Sequence, residues 1–326
     1  MTIQRSKMPS FHMAALVAGA AALATQISVL VEPESTAPVQ RAAPAVPAAK
    51  IQIVEPANAQ ALELVLGTVG FDLKNIRRGA DPVPAIHVAS LPHDLGSIDQ
   101  VDRKKKLFFS TVLPLVLSAN DRVARDRVKL ARLRDRALDG AALHDSERDW
   151  LLHLGDRYGV ELSEDGVDRA FLDGLMRRVD TVPVSLALAQ AAVKSGWGSS
   201  RFARNGNALF GQRAWSDDDG IVPKERTDEE GHVVRRYDSL MSSVASYIHN
   251  LNTHPSYRDF RYRRASMRAA DRPLDGKRLA GGLTAYAEIG DRYVEILRTV
   301  IEKNRLAELD GALLERKIVT AAKRSS

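Results

Sequence analysis

The chain has no cysteine among its 326 residues. That excludes a disulfide framework, a thiolate metal centre and a cysteine nucleophile, and it leaves the redox state of the compartment open. A glycine-rich phosphate loop is also missing, as is the serine elbow of many hydrolases. There is no internal repeat, which excludes a solenoid. His249 and His254 flank Asn250, Leu251, Asn252 and Thr253. A metal would need a third ligand and a carboxylate beside them, so structural roles are expected. No metal or cofactor is called for.

What is present suits a packed domain. Hydrophobic residues make up 44% of the chain and charged residues 27%, enough for a substantial core under an ordinary soluble surface. The net charge of +6 favours an anionic partner: nucleic acid, an acidic membrane surface or an anionic wall polymer.

The N-terminus chooses among these. Arg5 and Lys7 precede an apolar run over residues 13–31, and Glu32 and Glu34 follow it. Positive before and negative after directs the downstream chain out of the cytoplasm. A run of about nineteen residues serves as a long signal peptide or as a short membrane anchor. Residues 1–31 are therefore read as signal peptide or anchor, and export argues against a nucleic-acid partner. Residues 32–60 are rich in Pro and Ala, a semi-extended linker. Residues 61–100 are mixed, with an extended stretch at 86–90 and little else. Residues 311–326 form a basic tail.

From Val101 the pattern is helical. One helix is expected over residues 101–118, kinked at Pro114. Asn120 or Asp121 would then cap a second, reaching Leu138. On it Arg122, Arg125, Lys129, Arg132 and Arg136 form a basic stripe, either a solvated face or a contact for an acidic polymer. Further helices are expected from Asp145 to Tyr158, over 167–179, over 239–251 and over 282–309. Residues 217–237 alternate like a β-hairpin around a charged turn.

The most informative run is LALAQAAVKSGWGSSRFARNGNALFGQ, residues 186–212. Its first part is so apolar that the helix must be central. Pro183 fits the first turn, and Gly196 and Gly198 end it. Lys194 falls in the last turn, where a cation complements the helix dipole by roughly 0.3–1 kcal/mol. A glutamate there would be disfavoured as an anion, which raises its pKa toward that of a general acid.

At this point the residues carry a likeness. ALAQAA-x-x-SGWG-x-SRFA-x-x-GN-x-LFGQ resembles the central motif of the Bax-type glucosaminidase-domain proteins. That group is related to glycoside hydrolase family seventy-three and the lysozyme-like superfamily. VPAIHVASLP and RKKKLFFSTVLPLVLSAN resemble its N-terminal blocks; YIHNLNTHPSYRDFR and LTAYAEIGDRYVEIL resemble its later ones. The likeness implies a mainly α, lysozyme-like α+β fold with a small β-hairpin lobe. It implies a glucosaminidase-like domain over residues 83–310, with a helical part at 101–180 and a catalytic-type part at 181–310.

The resemblance also implies hydrolysis of the β-1,4 bond after N-acetylglucosamine in peptidoglycan, whose glycan strands would be the partner. The family's catalytic acid falls on position 194, which is Lys194 here. Lysine, with a pKa of about 10.4, is poorly matched to that role. A second carboxylate would come from the hairpin: Asp218, Asp219, Glu225, Asp228, Glu229 or Glu230, with Glu225 preferred. Tyr286 matches a tyrosine the family places in the cleft. Trp197, Asn207, Phe210 and Gln212 would line the sugar subsites. Arg213 stands where the family usually has a large aromatic, with Trp215 two residues on. The alternative to an enzyme is a wall-binding or regulatory envelope protein that keeps the cleft without the acid.

Overall fold

A computed structural model describes residues 50–223 and 232–316. The expected signal or anchor, most of the linker, Glu225 with its acidic neighbours Asp228, Glu229 and Glu230, and most of the basic tail lie outside these residues.

The described chain opens with strand β1 (Gln52–Val54). Asn58 caps α1 (Ala59–Thr68), accepting from the Ala61 N–H at 2.8 Å. Asp72 caps α2 (Leu73–Arg77) in the same way. Strand β2 (Ile86–Val88) realises the expected extended stretch and pairs parallel with β1, Ile53 opposite His87. Neither α1 nor α2 was expected. They are short, and their core contacts reduce to a few residues such as Leu62, Leu66 and Ile76.

The two expected helices over residues 101–138 are one, α3 (Val101–Leu138), which runs through Pro114. An interior proline costs about 3 kcal/mol. Around it Val112, Leu113, Leu115 and Val116 are fully buried. Each such side chain contributes about 1.5–3 kcal/mol, which outweighs the proline. Asn120 does not cap a helix of its own. Its Nδ2 donates to the Val182 carbonyl at 2.7 Å and its Oδ1 accepts from the Val182 N–H at 3.0 Å. By length and composition α3 could cross a membrane, but most of its apolar window is buried in the fold. The basic stripe is partly engaged within the fold: Arg125 pairs with Asp121, Arg136 with Glu147 at 2.7 Å, and Lys129 lies over Trp150 at 4.1 Å.

Helices α4 (Asp145–Tyr158) and α5 (Arg169–Arg178) pack on the second half of α3. Leu130, Leu151, Leu154, Phe171, Leu172 and Leu175 make a small core there. The first half of α3 packs in the main core against α6 (Val184–Ser195), as sequence required: Leu186, Ala187, Leu188, Ala189, Ala191 and Ala192 are all fully buried. The Asp310 carboxylate closes the start of α6, accepting from the Ser185 N–H at 2.7 Å and from the Ser185 hydroxyl at 2.8 Å.

After α7 (Arg201–Gly206) comes the β lobe. Strands β3 (Arg213–Ala214), β4 (Gly220–Ile221) and β5 (Val233–Arg235) pair antiparallel in the order β3-β5-β4. The expected hairpin is β4–β5, with β3 added to it. Gly220 must be glycine, because a Cβ there would lie 2.4 Å from the Val234 carbonyl oxygen.

Helix α8 (Leu240–Thr253), capped by Ser239, crosses α3. Then follow α9 (Arg258–Ala269), α10 (Gly276–Ala280) and α11 (Asp291–Lys303). A single helix over residues 282–309 is not found. Gly290 and Arg305 have φ of 52° and 51°, left-handed values that interrupt it on both sides of α11. Short 3-10 turns at Thr284–Tyr286 and Leu306–Leu309 take the remainder. The fold is mainly α with a small β lobe.

Candidate functional site

The site is built around the end of α6. Gly196, Trp197 and Gly198 all have positive φ, at 57°, 58° and 79°. The Trp197 N–H donates to the Ala192 carbonyl at 2.8 Å, and the Gly198 N–H to the Ser195 hydroxyl at 2.9 Å. A Cβ on Gly198 would lie 2.9 Å from Leu91 and Leu95, so the turn is pressed onto the core. This reversal fixes Lys194 in the final turn of α6.

The Lys194 ammonium lies 5.5 Å from the centre of the Tyr286 ring and 5.2 Å from that of Tyr293. No carboxylate stands within ion-pair distance of it among the described residues. Burial lowers its pKa, and the Arg213 cation lowers it further; Glu288 acts in the opposite direction. Arg213 is itself paired with Glu288 at 2.6 Å.

Beneath the ammonium is a cluster of tyrosines. Tyr286 and Tyr293 stack with centroids 5.7 Å apart and planes at 8°. The Tyr286 hydroxyl donates to the Phe210 carbonyl at 3.0 Å. Gln190, fully buried in α6, donates to the Tyr293 hydroxyl at 3.2 Å and accepts from the Tyr247 hydroxyl at 2.7 Å. Burial holds the phenols of Tyr247, Tyr286 and Tyr293 above their ordinary range, so they act as hydrogen-bonding neutral groups.

The expected site residues divide. Lys194, Tyr286 and the Phe210 carbonyl come together. The Phe210 ring does not line a sugar subsite: it is 1% exposed and stacks on Tyr247 at 3.8 Å inside the core. Gln212 accepts from the Tyr237 hydroxyl at 2.7 Å, and the Asn207 amide donates to the Tyr237 carbonyl at 3.0 Å. Both fasten the β lobe to the loop after α7. Trp197 turns toward α3, edge-on to Phe108 and Phe109, with the Lys105 ammonium 5.0 Å from its ring centre. That is a packed anchor for the turn, apart from the tyrosines. Asp218 and Asp219 stand exposed in a 3-10 turn ahead of β4. Glu225 lies outside the described residues.

Sequence reasoning missed Glu288 and Tyr293. Glu288 stands two residues beyond Tyr286 and faces the site through Arg213. Tyr293 stands seven residues beyond Tyr286, on α11. The triplet Tyr286-Ala287-Glu288 was the one local signal for Glu288.

A family model described as glucosaminidase, mannosyl-glycoprotein endo-beta-N-acetylglucosaminidase, matches residues 172–306. "Protein bax" of Escherichia coli (strain K12) is 33% identical over 220 residues, covering 67% of this chain and 75% of that protein. The chain belongs to the Bax-type glucosaminidase-domain family. No solved structure matches it at a significant level. The matched region of this glucosaminidase-domain chain holds α6, the β lobe and the tyrosine cluster. The family assigns it a role of the glycan-hydrolase type.

Proposed function

We propose that this chain holds peptidoglycan glycan strands at the end of α6 and does not cleave them. One observation carries the reading: the side chain at 194, where the resemblance calls for a glutamic acid, is an ammonium lying over Tyr286 and Tyr293. Glycoside hydrolysis needs an acid that can release its proton to the leaving oxygen, and its transition state is oxocarbenium-like and positive. A charged lysine opposes that state. A neutral amine has no proton to give. Loss of a general acid costs about 10²–10⁴-fold in rate. Among the described residues Glu288 is a carboxylate whose charge acts on Lys194, but its side chain is 84% exposed and already engaged by Arg213. In this reading the apolar run over residues 13–31 exports the chain or anchors it in the envelope.

The experiment is digestion and co-sedimentation of purified peptidoglycan with the full chain, beside a Lys194→Glu variant. The unaltered chain is expected to pellet with the wall and release no reducing N-acetylglucosamine ends. Lys194→Glu is expected to release them. Release by the unaltered chain overturns the non-cleaving reading, and failure to pellet overturns the wall-binding one.

A further inference from the structure

A hollow lies away from the end of α6, between α3, α4 and α8. It is a cavity of about 290 Å³, near the lower end of the roughly 300–1,000 Å³ typical of small-molecule sites. Ala119 and Val123 of α3, with Ala245 and Ile248 of α8, give it apolar walls. Tyr158, the last residue of α4, also lines it and is only 4% exposed. Its hydroxyl has no hydrogen-bond partner among the described residues, yet it still reaches solvent. The charges of Asp126 and Arg157, both at the cavity, act on that phenol. A buried donor that the fold leaves unused is costly unless water or a ligand accepts from it.

The rim is charged and unevenly paired. Arg122 and Asp126 stand four residues apart on α3, the spacing of a helical ion pair. Asp126 turns instead to Arg157 of α4, at 3.2 Å. Arg122 is left exposed, with no hydrogen bond or ion pair among the described residues. His249 of α8 completes the rim, its ring 5.6 Å from that of Tyr158. Partial burial, with the Arg157 cation second, lowers its pKa, so at neutral pH the imidazole is an uncharged hydrogen-bonding group. Two guanidiniums against one carboxylate leave one positive charge unmatched at the mouth of an apolar hollow. That complements a ligand with a single carboxylate, which the planar fork of an arginine accepts with two parallel hydrogen bonds.

We infer that this cavity is a ligand site for a small organic carboxylate with an apolar body about the size of one ring. The body rests on Val123 and Ile248, Arg122 takes the carboxylate, and the Tyr158 hydroxyl donates to it. The site shares no residue with Lys194 and the tyrosines beneath it, so it stands whether the chain holds glycan, cleaves it or does neither. It also gives a role to Arg122, at the start of the basic stripe, and to His249.

The test is NMR titration of the full chain with benzoate, with its neutral counterpart benzamide, and with acetate, which has the charge but no ring. Benzoate is expected to bind roughly tenfold more tightly than either, about what one charge-assisted hydrogen bond contributes, and to move the ring signals of His249. The margin over benzamide should shrink as salt rises. Arg122→Gln, at an exposed side chain without a partner, is expected to remove that margin. Tyr158→Phe is expected to weaken benzoate several-fold at no cost to stability, because the hydroxyl it removes bonds nothing in the fold. Arg132→Gln, exposed further along the same stripe, is expected to leave benzoate binding unchanged. Equal loss in Arg122→Gln and Arg132→Gln overturns the site in favour of a diffuse attraction to α3. Benzamide binding as tightly as benzoate overturns the recognition of a carboxylate. Absence of benzoate binding, or binding that leaves the His249 signals in place, overturns the site outright.

Discussion

The Tyr286 hydroxyl donates to the main-chain carbonyl of Phe210 at 3.0 Å. The bond ties the turn at residues 284–286 to the loop that follows α7. It holds the Tyr286 ring in place under Lys194, while the Phe210 ring is stacked on Tyr247 on the other side. A single phenol therefore registers the helical part against the loop that leads into the β lobe.

Tyr286→Phe keeps the ring and removes the donor. The Phe210 carbonyl is left without its partner, at a cost of about 1–3 kcal/mol. The expected outcome is a lower urea midpoint with an unchanged slope. Glycan affinity should fall less than in a Tyr286→Ala variant, which also removes the face under the ammonium.

Lys194 gives a pH signature. In the folded state its pKa is lowered, first by burial and then by Arg213. Below that folded value the lysine is charged in both states, and the folded chain bears the full penalty. As pH rises through it, the folded state sheds a proton that the unfolded state keeps up to about 10.4. Stability conferred by residue 194 therefore increases with pH across that window. Urea unfolding of the unaltered chain and Lys194→Met through the alkaline range should show the difference moving in favour of lysine.

His87 acts at the other end of the scale. It is nearly buried, and its ring nitrogen is 2.7 Å from the Ser118 hydroxyl. Burial, with the Arg122 cation second, takes its pKa down to about 4. The folded state thus refuses a proton that the unfolded state accepts. Stability contributed here is present above the ordinary histidine value and falls as pH drops toward the folded one. His87→Gln should flatten the loss of stability between about pH 6.5 and 4, read by thermal unfolding at stepped pH.

What could be read beforehand was local. The run from Val184 to Val193 announces a buried helix, and Gly196 announces its end, because burial and a left-handed cap each need only neighbouring residues. The fusion of two expected helices into α3 was hidden, since the partner that occupies Asn120 is Val182, 62 positions away. The break between residues 282 and 309 was hidden too, because Arg305 adopts a left-handed backbone that its residue type does not advertise. At the site, the resemblance placed Lys194 and Tyr286 together. It could not place Trp197 against α3 or Phe210 in the core, because those directions depend on Phe108, Phe109 and Tyr247, which belong to other helices.

Asp180 lies between α5 and α6. Its carboxylate faces three arginines: Arg268 at 2.9 Å, Arg127 at 3.6 Å and the fully buried Arg264 at 3.7 Å. Those arginines stand on α3 and α9, so one anion joins both helices to the start of the α6 segment. The carboxylate's pKa is lowered: burial pushes it up, but the arginines together outweigh that. Asp180→Asn leaves Arg264 charged, buried and without a counter-ion. Removing one partner of a buried pair costs about 3–5 kcal/mol, more than replacing the whole set by apolar groups. Asp180→Asn should therefore destabilise more than a double change that also converts Arg264 to Met. Urea unfolding of the single and double variants measures the difference. A double variant no more stable than the single one would mean that the Arg264 charge is not what makes the site expensive.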